Sequence, residues 1–222
     1  MTNEEITAIL LSVRVAVACV AITIVPGIVM GWLLARCRFP GHAALDAIVH
    51  LPLVLPPVVV GYGLLLLFGR NGPLQGLLGD VAFTWKAAAM ASAVMGFPLM
   101  VRAVRLAIEL VDTRLEQAAR TLGASPLRAF LTITIPLALP GILTGAVLAF
   151  ARSLGEFGAT MTFAGNIEGE TRTLPLALFQ YAQVPNGEGP ALRLLIISVI
   201  LSFLALFVSE IAARHVRKRA AG

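Results

Sequence analysis

Residues 115–136, "LEQAARTLGASPLRAFLTITIP", decide how this chain is read. The stretch has the polar, amphipathic character of a soluble helix, is interrupted by one glycine, and lies between two long apolar runs. Leu115, Ala118, Ala119 and Leu122 fall at i, i+3, i+4 and i+7, which predicts a short helix over 112–122 with one apolar stripe. Arg114, Glu116, Gln117 and Arg120 occupy its other side. Gly123 stops that helix, as glycine commonly does just past a helix end. Ser125 followed by Pro126 reads as an N-cap with proline at the first helical position, so a second helix starts there. Leu127, Phe130 and Leu131 give it an apolar face before Pro136 introduces the next apolar run. Two such helices at an angle form either a protruding knob or a loop lying on a membrane surface.

The flanks explain why a membrane enters the argument. Of 222 residues, 58% are hydrophobic and only 13% charged, with a mean hydropathy of +0.89. A soluble domain carries about 25% charged residues. Five apolar runs, 9–35, 45–68, 85–108, 137–157 and 192–213, meet the roughly 20 residues that a helix needs to cross the hydrocarbon. The expected fold is an all-α polytopic membrane protein, a single domain over 1–222, with the 112–131 helix pair between spans three and four. The opening "MTNEEI" is acidic, the wrong charge for a signal peptide, so the first run is read as a retained span. Cys19 and Cys37 show no metal or redox spacing.

The net charge of +5 is a topology signal rather than a mark of nucleic-acid binding. Arg36 and Arg38 follow span one. Arg102, Arg105, Arg114, Arg120 and Arg128 cluster between spans three and four, and Arg214, Arg217, Lys218 and Arg219 follow span five. The alternate connections hold Arg70 with Asp80, then Glu168, Glu170 and Glu188 against Arg172. By the positive-inside rule the first group is cytoplasmic. The N-terminus is then outside, the C-terminus inside, and the opening stretch faces the cytoplasm.

Span two carries Pro52, Pro56, Pro57, Gly61 and Gly63. Pro57 removes a backbone donor and pushes Pro56 out of the helical region. Broken backbone at membrane depth survives only inside protein or beside a watery cavity. Span two is therefore either a kinked packing helix or a lining element of a pathway. Span four ends "AFARSLGEFGAT", where Arg152 and Glu156 share a helix face four residues apart. Ionisable residues at this depth usually face the protein interior. They form either an internal ion pair or part of an anion route. Pathway or gate candidates are thus Pro56, Pro57, Gly61, Arg152, Ser153 and Glu156.

The 115–136 stretch resembles the cytoplasmic signature of ABC importer permeases, two alanines followed after three residues by glycine and then by an I-x-L-P close. Ala118, Ala119 and Gly123 match, then Ile133, Ile135 and Pro136. Gln117 stands in the glutamate slot, with Glu116 one place earlier, and Ile135 replaces the leucine. The resemblance implies that the knob docks on a separate ATPase, with Glu116, Gln117, Ala118, Ala119, Arg120, Gly123, Ala124, Ser125 and Pro126 as the coupling residues. "LPLVLPPVVVGYGLLLLFG" and "ARSLGEFGAT…GNIEGETRTLP" are similar to the molybdate importer permeases, and the likeness covers nearly the whole chain. Sulfate and thiosulfate permeases share the general pattern, with tyrosine expected where Phe157 stands.

That family implies a homodimer, two ABC ATPase subunits and an extracytoplasmic molybdate-binding protein, in the inner membrane of a prokaryote. Tungstate, close to molybdate in size and charge, is a further expected passenger. The acidic loop 166–173 and the neighbourhood of 186–190 are the expected docking surface for the binding protein. No cofactor is expected on this chain, which has no G-x-x-x-x-G-K-[ST] loop, so ATP and Mg belong to the partner. An intramembrane enzyme would need a nucleophile with its base, paired aspartates or a metal cluster. His42, His50, His215 and the scattered aspartates offer none. A passive anion channel is the other alternative, and it would have no use for the helix pair.

Overall fold

The computed structural model describes residues 2–220, without the side chains of 77, 78, 206, 208–210 and 212–220. The basic cluster Arg214, Arg217, Lys218 and Arg219, and His215, therefore lie outside the described side chains. The described residues form helices and turns, with no strand among them. In order these are α1 (Asn3–Arg36), α2 (His42–Val54), α3 (Pro57–Phe68), α4 (Gln75–Leu78), α5 (Trp85–Glu109), α6 (Thr113–Thr121) and α7 (Pro126–Ala129). A π turn, Phe130–Thr134, then leads into α8 (Ile135–Leu154), followed by α9 (Gly158–Phe163), α10 (Leu174–Gln183) and α11 (Glu188–Ala220).

Helix α1 starts at a capping box, in which the Thr2 side chain and Glu5 bond each other's backbone N–H groups. Its 34 residues rise about 50 Å at about 1.5 Å each, well beyond the ~30 Å hydrocarbon core. The first turns therefore stand clear of the apolar run. Arg14 lies 3.8 Å from the centroid of the Trp85 ring, a pairing suited to a membrane–water boundary.

Helices α1, α5 and α8 make the central packing unit, and small residues explain why. Lipid offers no hydrophobic drive for helices to associate, so close van der Waals approach must supply the attraction. Gly27 and Gly31 of α1 sit against Met100 and Val104 of α5, while Gly141 and Gly145 of α8 meet Ala107, Met100 and Ala103. Ala87, Ala88, Ala89, Ala91 and Ala93 are buried in the first half of α5. A leucine at any of these sites would hold the helices apart.

Among the described residues, four helices are long and apolar enough to cross a membrane alone: α1, α5, the continuous Pro126–Leu154 and α11 from Glu188 to Ala205. The run expected as a single span over 45–68 is instead two helices bent by 112°. Each is under ~20 Å long and cannot cross by itself. Val49 of α2 packs with Leu34 and Val101, whereas Leu64 of α3 shares a cluster with Leu11 and Val15. With a bend past a right angle, the pair is a broken span or a re-entrant loop.

The break falls at Pro56, whose backbone is extended (φ −55°, ψ 132°) ahead of Pro57 at the first position of α3. Pro26, Pro52, Pro98 and Pro140 lie inside helices without ending them. Two adjacent prolines succeed where single ones do not, because the second forbids the helical region to the first.

Pro136 behaves differently from expectation. It does not separate the second short helix from span four. Residues 126–154 run as one helix, and the π turn just before Pro136 widens it. A proline ring presses on the carbonyl four residues back, and the wider turn gives it room.

Candidate functional site

Two regions gather the residues singled out by the sequence. The first lies at the Arg36 end of the bundle. Asp112 caps α6 by accepting from the Arg114 N–H at 2.9 Å, and Ser125 caps α7 by accepting from the Arg128 N–H at 3.2 Å. Between them the chain turns in a Schellman arrangement. The Ala124 N–H donates to Ala119 O and the Gly123 N–H to Arg120 O, both at 3.0 Å. Gly123 holds φ at +92°, a left-handed value that favours glycine. A Cβ there would meet nothing within 4 Å, so any side chain is resisted by backbone strain alone.

The apolar stripe of α6 is turned outward. Leu115 is half exposed, Leu122 is 89% exposed, and Leu127 of α7 is also open. Gln117, Ala118, Arg120, Ser125 and Pro126 are exposed with them. Exposed leucines beside a glycine turn form a surface that its own chain leaves uncovered. Glu116 is the residue that turns inward. Its Oε1 accepts from Thr134 Oγ1 at 2.6 Å and pairs with Arg36 Nη2 at 3.2 Å. Arg36 Nη2 also donates to Val111 O at 2.8 Å. Neither Arg36 nor Thr134 carries a local sequence signal for this role, since their partner is 80 residues away in one case and 18 in the other.

The second region is the crossing of α3 and α9. The two short helices pack with their backbones in contact. A Cβ on Gly61 would lie 2.5 Å from Ala159 O and 2.7 Å from Ala159 Cα, and would overlap Thr162 Oγ1. A Cβ on Gly158 would lie 2.9 Å from Pro57 Cβ. Phe163 of α9 is fully buried with Leu11, Val15, Leu64 and Met95. The Leu174 N–H donates to Ser12 Oγ at 2.7 Å. The connection after span four thus returns into the bundle beside α3. Gly158 and Thr162, four residues apart, have the small-xxx-small spacing that marks a face for close helix packing without naming its partner.

Arg152 and Glu156 stand at the root of α9. Arg152 Nη1 approaches Glu156 Oε2 to 2.6 Å, and Glu156 is 1% exposed against 27% for Arg152. Glu156 Oε1 accepts from the Ala159 N–H at 2.9 Å, which holds the first turn of α9. A buried carboxylate needs both a counter-charge and a hydrogen bond, and this one has them. Ser153 is buried on the same stretch of α8. Pro56, Pro57, Gly61, Arg152, Ser153 and Glu156 therefore belong to one neighbourhood, joined through α9.

Some other titratable groups are paired. Arg105 links Asp46 of α2 to Glu109, and His50 Nδ1 lies 3.1 Å from Asp46. His42 Nε2 lies 3.0 Å from Leu34 O. Among the described residues no three His, Cys, Asp or Glu side chains gather as a metal site.

Comparison with known proteins agrees with this architecture. Residues 27–218 match the family described as the binding-protein-dependent transport system inner membrane component. The molybdenum transport system permease protein ModB of Escherichia coli (strain K12) is 57% identical over 225 residues, covering 99% of this chain and 98% of that protein. The sulfate transport system permease protein CysT of Salmonella typhimurium is 39% identical, covering 80% of this chain and 66% of that protein. Among solved structures, an inward-facing form of the MetNI methionine ABC transporter aligns with a TM-score of 0.74 at 22% identity, over 97% of this chain and 99% of that one. That likeness concerns the fold. The chain belongs to the family of binding-protein-dependent transport system inner membrane components, the family that includes the molybdenum transport permeases.

Proposed function

We propose that this chain is the membrane-spanning permease of an ATP-driven oxyanion importer, with molybdate as its cargo and tungstate as a second passenger. The observation that carries the reading is full-length identity of 57% to a molybdenum transport permease. The sulfate permease likeness is weaker and stops short of the full chain, which makes sulfate or thiosulfate the second reading.

In this reading the chain works as a pair and hydrolyses nothing itself. Two ATPase subunits bind ATP and Mg and close on one another. The α6–α7 knob faces the cytoplasm and offers Leu115, Leu122 and Leu127 to them. The N-terminal end of α1 faces outward, beside the 166–173 and 186–190 segments, where the binding protein delivers the anion. Closure of the ATPases moves the knobs, and the two halves exchange an inward opening for an outward one. The broken span and α9 then line or gate the passage, because their irregular backbone requires a protein or watery neighbour.

The test is ATP hydrolysis by the reconstituted complex, with the binding protein carrying molybdate, tungstate or sulfate in turn. Stimulation by molybdate and tungstate above sulfate is expected. Stimulation by sulfate alone would move the assignment to the sulfate permeases. Anion flux that persists without ATP or ATPase would make the chain a passive channel.

A further inference from the structure

We propose that Glu116 is a positioning residue, a strut fastening the docking helix α6 to α1 and to the π turn ahead of α8, and not part of the surface offered to the ATPase. This rests on the reading above that α6 and α7 form the docking knob. The family signature puts Glu116 among the ATPase-facing residues, yet its carboxylate points away from the exposed side of α6. It accepts from Thr134 Oγ1 at 2.6 Å and pairs with Arg36 Nη2 at 3.2 Å. Thr134 is completely buried. Arg36 ends α1, and its Nε is buried without a partner among the described residues. The Arg36 guanidinium is therefore held from Nη2 alone, by Glu116 and Val111 O.

One carboxylate oxygen thus joins three elements. A charge-assisted hydrogen bond in a partly buried place is stronger than a neutral one, and shorter. The knob would otherwise be a light attachment, because none of the α6 side chains is fully buried. Movement imposed on α6 needs a stiff connection to reach the spans, and Glu116 supplies one to α1 and one to the approach of α8. The second link enters at the π turn, a widened stretch of helix of the kind found at functional positions. Trp32 stacks edge-on against Phe130 with centroids 5.8 Å apart, so the junction stays packed when the carboxylate is removed. Gln117, its neighbour in the signature, is exposed.

The experiment uses the whole complex with its ATPase and binding protein in proteoliposomes. Glu116→Ala, Arg36→Met and Thr134→Val are compared with Thr134→Ser, which keeps the hydroxyl, and with Leu122→Asp on the exposed face. Three quantities are read: ATPase retained per permease, basal hydrolysis, and the ratio of hydrolysis with loaded binding protein to basal. The first three variants are expected to retain the ATPase and its basal rate while the stimulation ratio falls on the order of tenfold, within the range of measured coupling between sites. The double variant Arg36→Met/Glu116→Ala should be no worse than either single change, because the two act as a unit. Thr134→Ser should restore most of the ratio.

Loss of ATPase from Glu116→Ala, with an unchanged ratio for what remains bound, would make Glu116 a docking contact and overturn the proposal. An unchanged ratio in both Thr134→Val and Arg36→Met would do the same without relying on the Glu116 variants. Full retention of ATPase by Leu122→Asp would instead sink the docking reading itself, which keeps the two failures apart.

Discussion

Gly61 and Gly63 lie two residues apart in α3, and the structure assigns them opposite responses to the same change. In Gly61→Ala the added methyl falls 2.5 Å from Ala159 O and 2.7 Å from Ala159 Cα. Ordinary carbon contacts lie at about 3.5–4.0 Å, so the overlap is close to 1 Å. The nearest atom, Thr162 Oγ1, belongs to a side chain that can turn away, but Ala159 is met at its backbone, which has no rotamer to change, so α3 and α9 must separate. Overpacking of this kind costs about 1–3 kcal/mol. In Gly63→Ala the methyl meets nothing within 4 Å. Both substitutions gain the same helix propensity, roughly 1 kcal/mol, so it cancels between them. The difference between the two variants is then the contact itself, about 2 kcal/mol. For a chain of this length each kcal/mol moves the midpoint about 2–4 °C, so the Gly61 variant should melt about 4–8 °C below the Gly63 variant. Thermal unfolding of purified permease in detergent, followed by loss of monodispersity, measures it. Equal midpoints would show that the two helices do not touch at Gly61, and the crossing described above would be wrong.

Two further predictions concern buried charge. Arg152→Ala leaves the Glu156 carboxylate enclosed without its counter-charge, which costs about 3–5 kcal/mol and should lower the yield of folded permease. Arg152→Ala/Glu156→Gln keeps an acceptor for the Ala159 N–H and should recover most of that yield. Uptake that returns with it makes the pair a structural brace, whereas uptake that stays lost puts Arg152 on the anion's path. At the N-terminal end of α1, Glu5 is fully buried and pairs with Arg193 at 2.7 Å. The Arg193 hydrogen bond outweighs burial and holds the Glu5 carboxyl below the usual 4.5. A lowered pKa gives stability that is fully present above about 4.5 and is lost as pH falls through the folded value. Arg193→Met should therefore raise the pH at which acid destabilises the permease, read as midpoint against pH. An unshifted acid limb would mean that the pair carries no stability.

Local patterns were legible in the sequence and distant pairings were not. A crossing helix announces itself because water seldom tolerates roughly 20 apolar residues in a row. The cap at Ser125 and the stop at Gly123 were equally plain, since each depends on nearby residues, whereas Asp112, expected as the first helical residue, proves to be the cap of α6. Pro136 misled because proline usually marks a boundary, and only the folded chain reveals the π turn that absorbs it. The crossing at Gly61 joins residues about a hundred positions apart, and nothing in either stretch names the other. Arg36 and Glu116 were both visible as charges, yet charge alone does not say which cation meets which carboxylate. The orientation of α6 was hidden for the same reason. Its period showed a stripe, and the period of a helix does not reveal which side faces the protein.

Helix α8 is where the two regions meet mechanically. Thr134 stands just ahead of its first residue, and Arg152 lies in its last turn. Its 20 residues make a rod of about 30 Å, hydrogen-bonded from turn to turn except where Pro140 lacks an N–H. The regular ladder changes at its two ends. The π turn replaces it at one, and at the other Gly155 closes the helix where a Cβ would meet nothing within 4 Å. Hinges are commonly a few element-terminal residues that absorb a change in backbone angle, and both positions are element-terminal. The carboxylates of Glu116 and Glu156 stand beside those two ends. One ties the rod's approach to α6 and α1, and the other ties its far end to α9 and so to α3. Between those ends Gly141 and Gly145 hold the rod closely against α5, so the two charged contacts decide how its ends meet α6 and α9 rather than whether it stays in the bundle.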